Sequence, residues 1–144
     1  MVNEQLIQRG NADERVLEVM RKVPRHLFVE TSLRDQAYDD GPLPIGSSQT
    51  ISQPYMVALM AEALELKGHE KVLEVGTGSG YEAAVLAELC AQLISVERHE
   101  DLAQQARERL TALGYRNVQI LVGDGTLGCR EYEPYDAIVV SAAS

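Results

Sequence analysis

The feature that most constrains the fold is a change of rhythm at Lys71. From there, four short apolar runs, "KVLEV", "LISVE", "VQILV" and "DAIVV", are separated by helical stretches or long loops. Apolar strands without polar alternation belong to parallel sheets, because helical crossovers bring each strand back in the same direction and cover the sheet. The first crossover is "YEAAVLAELC". The second runs from Asp101 to Leu113, with Leu102, Ala106, Leu110 and Leu113 inward. The expectation is an α/β domain whose four parallel strands are covered on both faces.

Upstream the pattern is helical. Asn11 and Glu14 have the spacing of a capping box. Val16, Val19, Met20 and Val23 then share one helical face, and Pro24 closes the segment. "GPLPIGSSQTIS", from Gly41 to Ser52, reads as a loop. Ser52 is expected to cap the next helix, with Pro54 in its first turn and Met56, Leu59, Met60 and Ala63 as its buried stripe. The 144 residues thus form one domain, with a helical extension and loop over 1–52 and a strand–helix half over 53–144.

Composition narrows the function classes. A net charge of −9 argues against nucleic acid as a partner, since duplex binders concentrate Lys and Arg on one face. No run approaches the length of a membrane span. Glu4, Arg9, Asp13, Glu14 and Arg15 interrupt the first twenty residues, which therefore hold no apolar signal core. Cys90 and Cys129 stand without a CxxC or a Cys/His cluster, so a metal site is not expected and a reducing cytoplasm is. Cys90, within "LAELCAQL", reads as a core thiol.

The chemistry gathers at strand ends. "LEVGTGSGY" places Glu74, Gly76, Gly78 and Gly80 at the turn from the first strand to its helix, where a tight turn and close ligand approach favour glycine. A P-loop would need a Lys-Ser/Thr pair where Tyr81 and Glu82 stand, and a dinucleotide fingerprint would need glycine at Tyr81. A carboxylate at Glu74 disfavours a pyrophosphate and suits a ligand end carrying an ammonium. Glu97, seventeen residues beyond Gly80, ends the second strand. It can accept hydrogen bonds from two ribose hydroxyls, or be a solvated strand-end charge. Asp124, in "GDGT", can accept from an adenine amino group while the Gly125 N–H reaches a ring nitrogen; alone, the segment reads as a turn. Polar groups at the tips of three consecutive strands point together to adenosine along the sheet's carboxyl edge, its amino-acid tail at the glycine turn. That ligand is S-adenosyl-L-methionine.

"EVGTGSGY", "SVER" and "GDG" resemble the cofactor motifs of class I methyltransferases. "VPRHLFV", "LPIGSSQTISQPYM", "VLEVGTGSGY" and "YDAIVVSAA", in that order, are similar to the protein-L-isoaspartate O-methyltransferase family, with "LPIG" followed by "QTISQP" the most specific part. The resemblance implies a Rossmann-like class I methyltransferase sheet with parallel strands in the order 3-2-1-4, the family's later strands absent, behind a helical N-terminal extension. It implies methyl transfer from S-adenosyl-L-methionine to the α-carboxyl of L-isoaspartyl residues in damaged proteins, a repair reaction. It also implies that Ser52 is the active-site residue and that Gln49, Thr50 and Ile51 contact cofactor and substrate. The acceptor carboxylate, titrating near about 4, is already ionised at neutral pH, so no base is required. His26, His69 and His99 have no triad context, and Ser52 is expected to orient the acceptor without attacking it.

In the family's order the fourth strand is interior. Its "IVV" is therefore expected to be an exposed edge open to self-association, and the isolated chain to be marginally stable and weakly active. The rival readings are an inactive fragment or a cofactor- or partner-binding module. A nucleic-acid or small-molecule methyltransferase is less favoured: base methylators carry an Asn/Asp-Pro-Pro-aromatic run where "SAAS" stands.

Overall fold

The structure, a computed structural model, describes residues 1–11, 13–46, 49–124 and 130–141. Gly125 and Cys129 lie outside the described residues.

Helix α1 (Glu14–Lys22) is capped by Asp13, whose carboxylate accepts the amides of Arg15 at 3.0 Å and Val16 at 3.3 Å. Asn11 is not the cap; it is buried. An ionised acceptor one residue before the helix satisfies free N–H groups and favours the positive end of the helix dipole. Val16, Leu17, Val19 and Met20 are buried. The helix ends at Val23, which is extended because the following proline disfavours helical backbone before it. The remainder of the N-terminal part is short turns, at Val2–Leu6, Ile7–Arg9, Arg25–Phe28 and Thr31–Gln36.

The segment expected as a loop contains an antiparallel pair. Strand β1 (Leu43–Gly46) pairs with β2 (Gln49–Ile51), Leu43 opposite Ile51 and Pro44 opposite Thr50. Each strand of a two-stranded pair is an edge, so Pro44 is tolerated there despite its missing donor. Ile45 and Ile51 are the buried anchors of the pair.

Helix α2 (Pro54–Leu64) starts from Gln53, with no side-chain capping bond, so Ser52 is not its cap. It buries Pro54, Val57, Ala58 and Ala61 against α1 and the later helix α3 (Tyr81–Ala87). Met56 and Leu59, expected inside, are 43% and 41% exposed, and Ala63 is exposed too. The helix is apolar on nearly every side, so the period left the choice of face open. The small side chains took the contact because they let neighbouring backbones approach.

Strands β3 (Lys71–Val75), β4 (Gln92–Glu97), β5 (Val118–Val122) and β6 (Ala137–Val140) form one parallel sheet in the order β5-β4-β3-β6. This is the expected 3-2-1-4 order. The crossovers β3–α3–β4 and β4–α4–β5 use α3 and α4 (Glu100–Ala112). Strand alternation and register put Val72, Leu93, Ile120 and Val139 on one face, in a single cluster with α1 to α4. Fully burying a Leu or Ile there contributes about 1.5–3 kcal/mol.

The other face carries only Leu73, Ile94 and Val96, with Val75, Leu121, Tyr132 and Tyr135 partly buried beside them. On this face Ile138 and Val140, register partners of Leu73 and Val75, are 59% and 57% exposed. The cover expected on both faces is therefore confined, among the described residues, to one.

One buried cation ties the N-terminal part to the sheet half. Arg25 is fully buried, its guanidinium 4.8 Å from the centre of the Tyr81 ring, and its Nε donates to the Ala37 carbonyl. Phe28 meets the same ring edge-on. Tyr81, the first residue of α3, is thereby fixed from outside the sheet.

Candidate functional site

In an open parallel sheet, ligands sit beyond the carboxyl ends of the strands where the strand order reverses. Here β4 lies on one side of β3 and β6 on the other, so that place is the turn after β3. Gly76, Thr77, Gly78 and Ser79 of this turn line a cleft, and residues 49–52 line it from the β2 side. Ile45 of β1 reaches the turn as well: a methyl on Gly78, which has φ +56°, would stand 3.5 Å from Ile45 Cδ1.

Four polar groups at this end share one face of the sheet, by alternation. Glu74 and Ser95 are register partners of β3 and β4, Glu97 ends β4, and Ser141 follows β6. Ser95 Oγ donates to Glu74 Oε1 at 2.6 Å, and Ser141 Oγ donates to Glu74 Oε2 at 2.9 Å. Ser95 has one hydrogen and gives it to Glu74, so Thr77 Oγ1, 2.6 Å away, is the donor to Ser95. Glu97 Oε1 accepts the Gly78 amide at 2.8 Å and Oε2 accepts the His99 amide at 2.8 Å. Each Glu97 oxygen retains a lone pair, and the residue lines the cleft.

Glu74 is fully buried beneath the turn and is not itself part of the cleft lining. Burial raises its carboxyl well above the ordinary range, the Glu82 charge adds to this, and the Ser95 and Ser141 hydroxyls oppose it. Glu82 does line the cleft, is 7% exposed, and is likewise raised by burial. Its Oε1 has no hydrogen-bond partner.

The structure thus brings together Gln49, Thr50, Ile51, Ser52, Gly76, Gly78 and Glu97 around one cleft. Gly80 stands apart from the lining. With φ +90°, it faces α4, and an added Cβ would lie 3.2 Å from Ala106 Cβ, so it serves close packing. Asp124 is exposed, beyond the end of β5, beside the Gly123 amide that donates to the Glu97 carbonyl at 3.0 Å. It lies at the same sheet edge and outside the cleft lining. Gly125 lies outside the described residues. Thr77, Ser79, Tyr81, Glu82 and Ser141 were not expected at the cleft. Glu82 could have been found as the one charge in the otherwise apolar "YEAAVLA".

Sheet order, glycine turn and strand-end carboxylate together define a class I methyltransferase fold. The sequence model of one family, Protein-L-isoaspartate(D-aspartate) O-methyltransferase, matches residues 1–144. The chain belongs to that family.

It is 60% identical over 144 residues to protein-L-isoaspartate O-methyltransferase 1 of Syntrophobacter fumaroxidans, covering 100% of this chain and 67% of the relative. It is 63% identical over 143 residues to the protein-L-isoaspartate O-methyltransferase of a Synechococcus species, covering 99% and 59%. Among solved structures, a protein-L-isoaspartate O-methyltransferase superposes with a TM-score of 0.84 at 29% identity, covering 94% of this chain and 45% of that one. A Plasmodium falciparum beta-aspartate methyltransferase, solved in complex with S-adenosyl-L-homocysteine, superposes at 0.81 with 26% identity, covering 99% and 72%. The chain spans about two thirds of the length of the curated relatives it matches.

Proposed function

We propose that this chain binds S-adenosyl-L-methionine in the cleft after β3 and transfers its methyl group to the α-carboxyl of L-isoaspartyl residues in proteins. The observation that carries this reading is the approach of residues 49–52 to the glycine turn, which puts Ser52 in the same cleft as Gly76, Gly78 and Glu97. The residues fit such a cofactor. Gly76 and Gly78 let a ligand lie against backbone, Glu97 has acceptor capacity for ribose hydroxyls, and the orphan Glu82 oxygen suits a donor.

When bound, S-adenosyl-L-methionine supplies a methyl group on a cationic sulfur. The acceptor is an anion at neutral pH, and charge is lost as the two combine, so alignment and exclusion of water set the rate. No histidine lines the cleft among the described residues. Ser52 has the role of holding the acceptor carboxylate by a hydrogen bond from its hydroxyl.

Isoaspartyl polypeptides are the partners on this reading; nucleic acid is not, given the net charge of −9. No helix among the described residues is long and apolar enough to cross a membrane. The buried free thiol of Cys90 suits a cytoplasmic setting. The test is incubation with S-adenosyl-L-methionine and either an L-isoaspartyl peptide or its normal aspartyl counterpart. Methyl ester forming on the first alone is the expected result. Cofactor binding with transfer to neither would replace the reading with that of a binding module.

A further inference from the structure

Helix α3 is buried along its whole length, and Glu82 is its one charged residue. Its Oε1 is buried without a hydrogen-bond partner at the cleft. The charged and titratable groups around it come from several elements. Glu74 of β3 is fully buried, and Glu97 of β4, 4% exposed, is held by two backbone amides. Tyr81 on α3 itself has its ring under Arg25. Ser141, after β6, brings a hydroxyl. Among the described residues lining the cleft there is no Lys, Arg or His. Arg25 is engaged by the Ala37 carbonyl and the Tyr81 ring, and Arg109 donates to the Ser79 carbonyl at 3.1 Å. Two buried carboxyls without a counter-cation cannot both be ionised without a large desolvation cost, so either a proton or a cation must neutralise them.

We propose that Glu82 is the cation-recognition residue of this cleft, and that the cationic end of S-adenosyl-L-methionine replaces a proton held between Glu82 and Glu74, which leaves to solvent. The inference rests on the cofactor reading above and adds to it a proton linkage. The raised proton affinity of both carboxyls, caused first by burial, agrees with the geometry. Glu97 differs in geometry, because both of its oxygens already accept backbone amides.

The test is calorimetric titration of the 144-residue chain with S-adenosyl-L-methionine, in buffers of differing ionisation enthalpy. The window is about pH 5 to about 7, below the range in which an α-amino group titrates. Release of up to about one proton per cofactor, with affinity tightening by up to about tenfold per pH unit, is expected. Glu82→Gln, close in shape, should abolish the proton release, flatten the pH dependence and weaken binding about tenfold near pH 7. A parallel melt establishes that the variant is folded.

S-adenosyl-L-homocysteine keeps the ammonium and lacks the sulfonium charge. Release with both ligands assigns the ammonium as the cation, and release with S-adenosyl-L-methionine alone assigns the sulfonium. Methylthioadenosine, which has neither, should release none. Equal release with methylthioadenosine, no buffer dependence in the unaltered chain, or unchanged release in Glu82→Gln overturns the proposal. A folded chain that binds neither S-adenosyl-L-methionine nor S-adenosyl-L-homocysteine overturns the cofactor reading itself, and this inference with it.

Discussion

Glu97 Oε1 accepts the Gly78 amide at 2.8 Å, so the end of β4 is clamped to the turn that follows β3. Its second oxygen holds the His99 amide, at the start of α4. One carboxylate therefore fixes the spacing of two neighbouring strand ends and the entry into the following helix. Glu97→Ala would leave both amides without their acceptor in a partly buried site. It is expected to cost about 2–4 kcal/mol, from two lost charge-assisted bonds, and to lower the melting temperature accordingly. Glu97→Gln, which keeps one acceptor oxygen, should cost less and still weaken cofactor binding in calorimetry.

Ser52 makes no capping bond to α2, so removing its hydroxyl leaves the helix untouched. Ser52→Ala should shift stability by no more than about 0.5 kcal/mol. It should lower methyl transfer to an isoaspartyl peptide by about ten- to a hundredfold while sparing cofactor affinity, because orientation is a rate effect. Parallel loss of rate and cofactor affinity would assign Ser52 to cofactor binding.

Gly80 tests the division of labour within the glycine turn. A methyl there would meet Ala106 Cβ at 3.2 Å on a backbone with φ +90°. Gly80→Ala is expected to destabilise by about 2–3 kcal/mol in denaturant unfolding, from strain plus overpacking. Cofactor affinity, measured where the variant is still folded, should change little.

Much of this was legible in the sequence, for reasons that differ by element. The four sheet strands were readable because "KVLEV", "LISVE", "VQILV" and "DAIVV" are apolar runs bounded by breaks, and their order followed from the resemblance. The buried face of α2 was not, because Met56, Leu59, Val57 and Ala58 are all apolar and only tertiary packing chooses between them. The β1–β2 pair was hidden by Pro44 and the flanking glycines, which argue for a loop while Ile45 and Ile51 alone mark the inward side. Gly78 and Glu97 could be placed because turn chemistry and strand ends are local, whereas Ser52 came from the family resemblance and its local reading, a helix cap, did not hold. Glu82 stood out as the one charge in "YEAAVLA", but its role was not readable, since a buried carboxyl with one oxygen left without a partner is recognised only once its neighbours are known.

Those neighbours also set a pH dependence of stability. Glu74 and Glu82 are both raised above their unfolded values, so between the unfolded and the raised value the folded chain binds more protons than the unfolded one. The stabilisation they give is full below the unfolded value and is lost as pH rises through the raised one. Without cofactor, Glu82→Gln should therefore raise stability by about 1–3 kcal/mol at pH near 7 and change little near pH 4, as read from melts at the two pH values.

The contact between Gly80 and Ala106 works from behind the cleft as a spacer of zero length. It sets how near α4 stands to the turn, and α4 begins immediately after the carboxylate that clamps that turn. Two of the smallest residues in the chain thus fix how closely this helix seats against the glycine turn, from behind the cleft and without lining it.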